Sequence, residues 1–132
     1  MKRTACYILL LNLLIGCLAS NSSIPAEQLM GRWFWTESSG GIAGTTQTPK
    51  TSEETVILEI NSSSIKRYVN GRLESTRNYT LEIRESLIYG DSREMIIYEN
   101  GMREMFSVSP GELFLTGDCY DCFQSRYERD EN

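Results

Sequence analysis

The sequence predicts an all-β protein, an eight- to nine-stranded antiparallel up-and-down barrel, and three observations predict it. From Leu29 onward no stretch of ten or more residues repeats its apolar positions at spacings of three and four, whereas short runs alternate apolar with polar side chains. Turn signals punctuate those runs at short intervals, the strongest being Asn70-Gly71 and Asn100-Gly101, which suit two-residue hairpin turns with positive φ. Connections are short throughout except for one, Ser38 to Glu53, so consecutive strands pair as antiparallel neighbours. Closure hides the edges that an open sheet of this size would expose. A two-sheet sandwich is the alternative, but sandwiches usually need more long crossings than this chain has.

Taken in order, the runs place strands near 31–37, 54–61, 64–69, 72–81, 82–89, 93–99, 102–108, 112–116 and 123–129, with a doubtful boundary at Leu81. Val56, Leu58 and Ile60 share one face of their strand. Tyr79, Leu81 and Ile83 share another, as do Phe106 and Val108, then Leu113 and Leu115. Gly90-Asp91 and Ser109-Pro110-Gly111 supply two further turns. The expected inward set is Trp35, Val56, Leu58, Ile60, Tyr79, Leu81, Ile83, Ile97, Phe106, Val108, Leu113 and Leu115. Eight strands enclose a space just wide enough to be filled by side chains or to hold one small ligand. Trp35, Leu58, Arg77, Tyr79, Leu81 and Phe106 are therefore candidate ligand-lining residues, and plain core is the competing reading. Arg77, at the parity of Tyr79 and Leu81, places a cation at the interior, where it would meet a fatty-acid carboxylate, or at the rim in water. The Gly-, Ser- and Thr-rich connection from Ser38 to Glu53 is either a flap over one barrel end or a solvated loop. Its glycines are not followed by Gly-Lys-Ser/Thr, which excludes a phosphate-binding loop of that kind.

The first residues are not part of this pattern. Lys2 and Arg3 precede an apolar run from Tyr7 to Ile15, interrupted by Asn12, which is long enough for an export signal and too short to cross the roughly 30 Å of a bilayer's hydrocarbon core. The run ends in Leu14-Ile15-Gly16-Cys17. This resembles the lipobox of bacterial lipoproteins, and the resemblance implies that Cys17 is acylated and becomes the new N-terminus; an ordinary secretory peptide cut near Ala19-Ser20 is the alternative. The domain organisation read this way is a signal peptide over 1–16, a lipidated N-terminus and tether over 17–28, and a barrel over 29–132. Leu18 after the cysteine, in place of Asp, implies delivery to an outer membrane. Two or three acyl chains at about 0.8 kcal/mol per buried methylene anchor stably where one chain binds only marginally.

Composition limits the chemistry. The 132 residues carry 13 Lys plus Arg against 18 Asp plus Glu, and contain no histidine. Loss of the first sixteen residues would leave 116, with 11 basic and 18 acidic side chains and a formal charge of −7. Such a surface repels anionic headgroups and disfavours nucleic acid. Without histidine there is no Ser-His-Asp or Cys-His relay and no His-based metal site. Neither an enzymatic activity nor a cofactor or metal is expected. Glu53-Glu54 and Glu82 to Glu85 could in principle supply a carboxylate pair, but acidic residues alternating with apolar ones read more simply as a solvent face. In an exported chain Cys119 and Cys122 read as a disulfide that shapes the turn before the last strand. A redox pair would need a following helix, and a zinc site would need two further ligands.

Gly31-Arg32-Trp33 at the first strand and Phe123 to Arg129 at the last resemble the lipocalin (calycin) arrangement. The resemblance implies that Trp33 plugs one end of the barrel with an arginine across its ring, Arg129 by parity with Phe123 and Tyr127 and otherwise Arg126. Ser38-Ser39-Gly40-Gly41 and Thr48-Pro49 are similar to the first loop of small lipocalin-like lipoproteins. This chain departs from true lipocalins in having only three residues after Arg129, too few for their helix. The implied function is binding of a small hydrophobic ligand such as a fatty acid, at a membrane reached through the lipid anchor. A non-enzymatic envelope module with a filled barrel, contacting a protein through its loops, is the alternative.

Overall fold

The computed structural model describes residues 26–131. A short helix α1 (Ala26–Leu29) leads into nine strands: β1 (Gly31–Gly40), β2 (Thr45–Gln47), β3 (Val56–Ile60), β4 (Ser64–Val69), β5 (Arg72–Glu85), β6 (Ser92–Tyr98), β7 (Arg103–Ser109), β8 (Glu112–Gly117) and β9 (Phe123–Arg129), with a second short helix α2 (Pro49–Ser52) between β2 and β3. Strands β3 to β9 pair each with the next, and β1 pairs with both β3 and β9, so eight strands close a wholly antiparallel barrel. β2 is an extra strand laid on the far end of β1, opposite Ser38–Gly40. The proposed signal peptide and Cys17 lie outside the described residues.

Two elements differ from the sequence expectation. The two strands expected to meet at Leu81 are one 14-residue strand, β5. Its first part pairs with β4 through Asn78 and its second part with β6 from Tyr79 onward, so the partner changes at that point although the chain runs on. The other is β2 with α2, which gives part of the 38–53 connection structure. Thr48 caps α2, its hydroxyl accepting from the Thr51 amide, while the Thr51 hydroxyl accepts from the Thr48 amide. Ile42 is 90% exposed and does not dock onto the barrel.

The two Asn-Gly turns also diverge. Asn70 and Gly71 both have positive φ, 49° and 77°, as a type I′ hairpin needs. At Asn100-Gly101 only the glycine does; Gly101 N–H donates to the Tyr98 carbonyl at 2.9 Å, and Asn100 Oδ1 accepts from the Met102 amide at 3.0 Å. That is a longer loop ending in a left-handed glycine.

The core is continuous from Leu29, Trp33 and Ile60 through Leu58, Ile96 and Leu113 to Trp35 and Tyr127, with Leu81, Phe106 and Val108 packed partly buried against it. Two residues expected inside are not. Ile83 is 67% exposed. Its partner is Glu94, beyond the point where β6 pairs with β7 through Met95–Ile97, so no facing strand covers it. Ile97 has the wrong parity: Ile96 and Tyr98 enter the core, while Met95 and Met105, opposite each other in register, are buried on the other face. That outer cluster is covered by the turn after β5. Asp118, whose side chain has no exposure, accepts from the Ser86 hydroxyl at 2.8 Å and from the Leu87 amide at 3.0 Å, and pairs with Arg103 at 2.9 Å. Burial pushes the Asp118 carboxyl up, but the Leu87 amide, the Ser86 hydroxyl and Arg103 outweigh it and hold the group below the usual range.

The Cys119–Cys122 disulfide is present in the turn between β8 and β9, with Cα atoms 5.2 Å apart.

Candidate functional site at the barrel mouth

The two ends of the barrel are built differently. At one end Trp33 is fully buried, its indole N–H donating to the Leu29 carbonyl at 2.9 Å. The Arg129 guanidinium lies over the ring, 4.0 Å from its centre, and donates to the carbonyls of Met30 at 3.0 Å and Gln28 at 2.7 Å. One side chain thus stacks on the plug and ties down the segment leading into β1. Gly31 makes room for it. A Cβ there would stand 2.6 Å from Arg129 Nη1, and φ is +130°, a conformation suited to glycine. Arg126 is engaged elsewhere, its Nε donating to Glu112 at 3.0 Å.

The other end is open. Beneath β2 and the start of β3 lies a cavity of about 250 Å³ whose walls include Trp35, Val56, Arg67, Phe123 and Tyr127. The indole N–H of Trp35 donates to Ser38 Oγ at 2.8 Å, and that hydroxyl is 2.6 Å from Ser125 Oγ. These contacts satisfy the Trp35 indole and the Ser38 and Ser125 hydroxyls, while Gln47, Glu54 and Arg67 add further polar groups to the wall. A second cavity of about 170 Å³ shares Arg67 and Tyr127 with the first and adds Leu58, Arg77, Tyr98, Glu104 and Leu115. It lies where β5 overhangs: before Tyr79 this strand pairs with β4 and has no β6 partner on its other side, and Ser75 and Arg77 line the space there.

The polar groups of this second cavity are coupled. Tyr98 donates its phenolic proton to Glu104 at 2.6 Å, and Arg77 lies 5.5 Å from the centre of the Tyr98 ring. Burial raises the Glu104 carboxyl above its usual range, only partly offset by Tyr98 and Arg77. Burial and the nearby Glu104 charge push Tyr127 up to about 12, and raise Tyr98 as well. Both phenols stay neutral at physiological pH and serve as hydrogen-bonding groups. Arg67 pairs with Glu74.

Of the six candidate lining residues, Trp35, Leu58 and Arg77 line the mouth cavities. Tyr79, Leu81 and Phe106 do not. Tyr79 is core, its hydroxyl donating to the Asn61 carbonyl at 2.6 Å, and Leu81 and Phe106 pack against that core. Sequence reasoning missed Arg67, Tyr98, Glu104 and Tyr127. Glu104 was within reach, since it shares the parity of Phe106 and Val108 on β7. Among the described residues no three His, Cys, Asp or Glu side chains converge as a metal site.

No protein-family model matches this chain, and no curated protein or solved structure shows significant similarity to it. The fold and the mouth geometry are therefore the ground for a functional reading.

Proposed function

We propose that this chain is an exported lipocalin-like protein, acylated at Cys17 and held at a bacterial outer membrane, whose barrel mouth binds a small ligand with an apolar chain, of the fatty-acid class. The observation that carries the reading is the pair of mouth cavities sharing Arg67 and Tyr127. A small-molecule site combines apolar surface with convergent polar groups: Leu58, Leu115, Trp35 and Tyr127 supply apolar surface in these mixed walls, and Arg77, in no ion pair among the described residues, gives a carboxylate something to pair with. A barrel filled to both ends would favour the other reading, a protein-interaction or inhibitor module working through its loops. The disulfide accords with an oxidising compartment.

Trp35 stands in the cavity wall while Trp33 is sealed at the plug, so tryptophan emission reads occupancy of the mouth. Titration with decanoic acid is expected to change the emission saturably, and less so in Arg77→Gln. An emission that decanoic acid leaves unchanged, in protein stripped of co-purifying lipid, refutes the ligand-binding reading. The anchor is tested separately: metabolic labelling with a fatty acid is expected in the native chain and lost in Cys17→Ala, and equal labelling of both rules acylation at Cys17 out.

A further inference from the structure

We infer that the head group taken by the mouth is zwitterionic, an acid and an ammonium on adjacent atoms as in an α-amino acid, rather than a simple carboxylate. The inference rests on the ligand-binding reading above and sharpens it. Two opposite charges face the same cavity of about 170 Å³, Arg77 from β5 and Glu104 from β7. Neither is in an ion pair with another described residue, whereas Arg67, the other cation of that cavity, is paired with Glu74. The two do not pair with each other. Both line the cavity on either side of Tyr98, whose hydroxyl donates to Glu104 and whose ring lies beside Arg77.

A plain fatty acid would satisfy Arg77 and set a second negative charge beside Glu104, a carboxylate already disfavoured by burial. A plain amine would satisfy Glu104 and face Arg77. A zwitterion satisfies both, with the ammonium toward Glu104 and the acid toward Arg77, and leaves its chain to Leu58, Leu115 and Tyr127. The hydroxyl of Tyr98 fixes the Glu104 carboxyl from one side at 2.6 Å, leaving its other lone pairs to the ligand. Charge-assisted hydrogen bonds are stronger than neutral ones, and a like charge buried opposite is penalised, so discrimination between such heads is strong.

The test uses three probes with the same chain, decanoic acid, decylamine and 2-aminodecanoic acid, titrated calorimetrically into the wild-type protein and into Arg77→Gln and Glu104→Gln. The amino acid is expected to bind wild type about tenfold more tightly than either single-charge probe, the equivalent of roughly one charged hydrogen bond. Glu104→Gln should erase its advantage over decanoic acid, and Arg77→Gln its advantage over decylamine, each variant keeping the circular dichroism of wild type. Equal or tighter binding of decanoic acid to wild type overturns the zwitterion and leaves the fatty-acid reading standing. A preference that survives both variants also overturns it, since other groups would then make the selection. Failure of all three probes to bind overturns the ligand-binding reading and the zwitterion with it.

Discussion

Asp118→Asn is the substitution whose cost the structure defines most sharply. The carboxylate is fully buried and receives the Ser86 hydroxyl, the Leu87 amide and the Arg103 guanidinium. Asparagine keeps one oxygen and turns the other into a donor, so either the Ser86 hydroxyl at Oδ1 or Arg103 at Oδ2 faces a donor in place of an acceptor, while the Leu87 amide, within reach of both oxygens, keeps one. Arg103, itself only 25% exposed, keeps a charge with no counter-charge. Removing one partner of a buried pair costs about 3–5 kcal/mol. For a domain of this size 1 kcal/mol moves Tm by about 4–8 °C, so Tm should fall by at least about 12 °C at pH 7. The effect has a pH signature. A carboxyl whose folded pKa is depressed contributes stability above its unfolded pKa, about 3.9, and loses it as pH falls through the folded value. The gap between wild type and variant should therefore narrow below pH 4. Circular-dichroism melts at pH 7 and at pH 3 measure both quantities. A fall in Tm of less than about 4 °C at pH 7, or a gap that is unchanged at pH 3, would show that Asp118 does not clamp the turn after β5 as a charged acceptor.

Three further outcomes follow from the same structure. Trp33→Ala should lower stability by about 3–5 kcal/mol in urea unfolding, as for other buried aromatics, and a loss below about 1 kcal/mol would mean the indole does not seal that end. Gly31→Ala should cost about 1–3 kcal/mol, because its methyl displaces the Arg129 guanidinium at a backbone angle glycine favours; pairing it with Arg129→Ala should recover part of that loss, and strictly additive costs would contradict the contact. Glu104→Gln should stabilise the protein progressively as pH rises from 4 to 8. The folded pKa of Glu104, which faces Arg77, Tyr98 and Tyr127, is raised, so the wild-type chain loses stability on ionising it and the amide does not. Thermal melts across that range would refute the assignment if the variant's advantage were greatest at low pH.

Much of the barrel was legible because most strands are apolar on one face only. Alternation in Val56–Ile60 and in Glu112–Gly117 marks which side is the core without any knowledge of partners. β6 resists the same reading. Met95 and Ile97 on one face are as apolar as Ile96 and Tyr98 on the other, because the turn after β5 covers the outside, so composition offers no basis for choosing a side. β5 resists for another reason: its change of partner at Tyr79 leaves no mark on the chain, and the exposure of Ile83 depends on where β6 leaves β7. The site was half legible. Arg77 declares itself by parity with Tyr79, but the cavity it lines lies where β5 overhangs, which is a property of register between strands and not of any one run of residues. The three residues of β2 are all exposed and carry no apolar pattern to find.

The seam between β1 and β9 sets the order in which such a molecule can assemble. Every other pairing joins strands consecutive in the chain or, for β1 with β3, separated only by β2 and α2, whereas Trp33 must find Arg129 across nearly the whole length of the barrel. Hairpins of the local kind form in about 1–10 μs, but closing the ring demands a loop entropy that only the last contacts repay. Until then β1 and β9 are bare edges, open to a strand of another copy. The plug is thus also a latch: the stacking of Arg129 on Trp33 rewards the one long-range encounter that converts an aggregation-prone open sheet into a molecule without free edges along its seam.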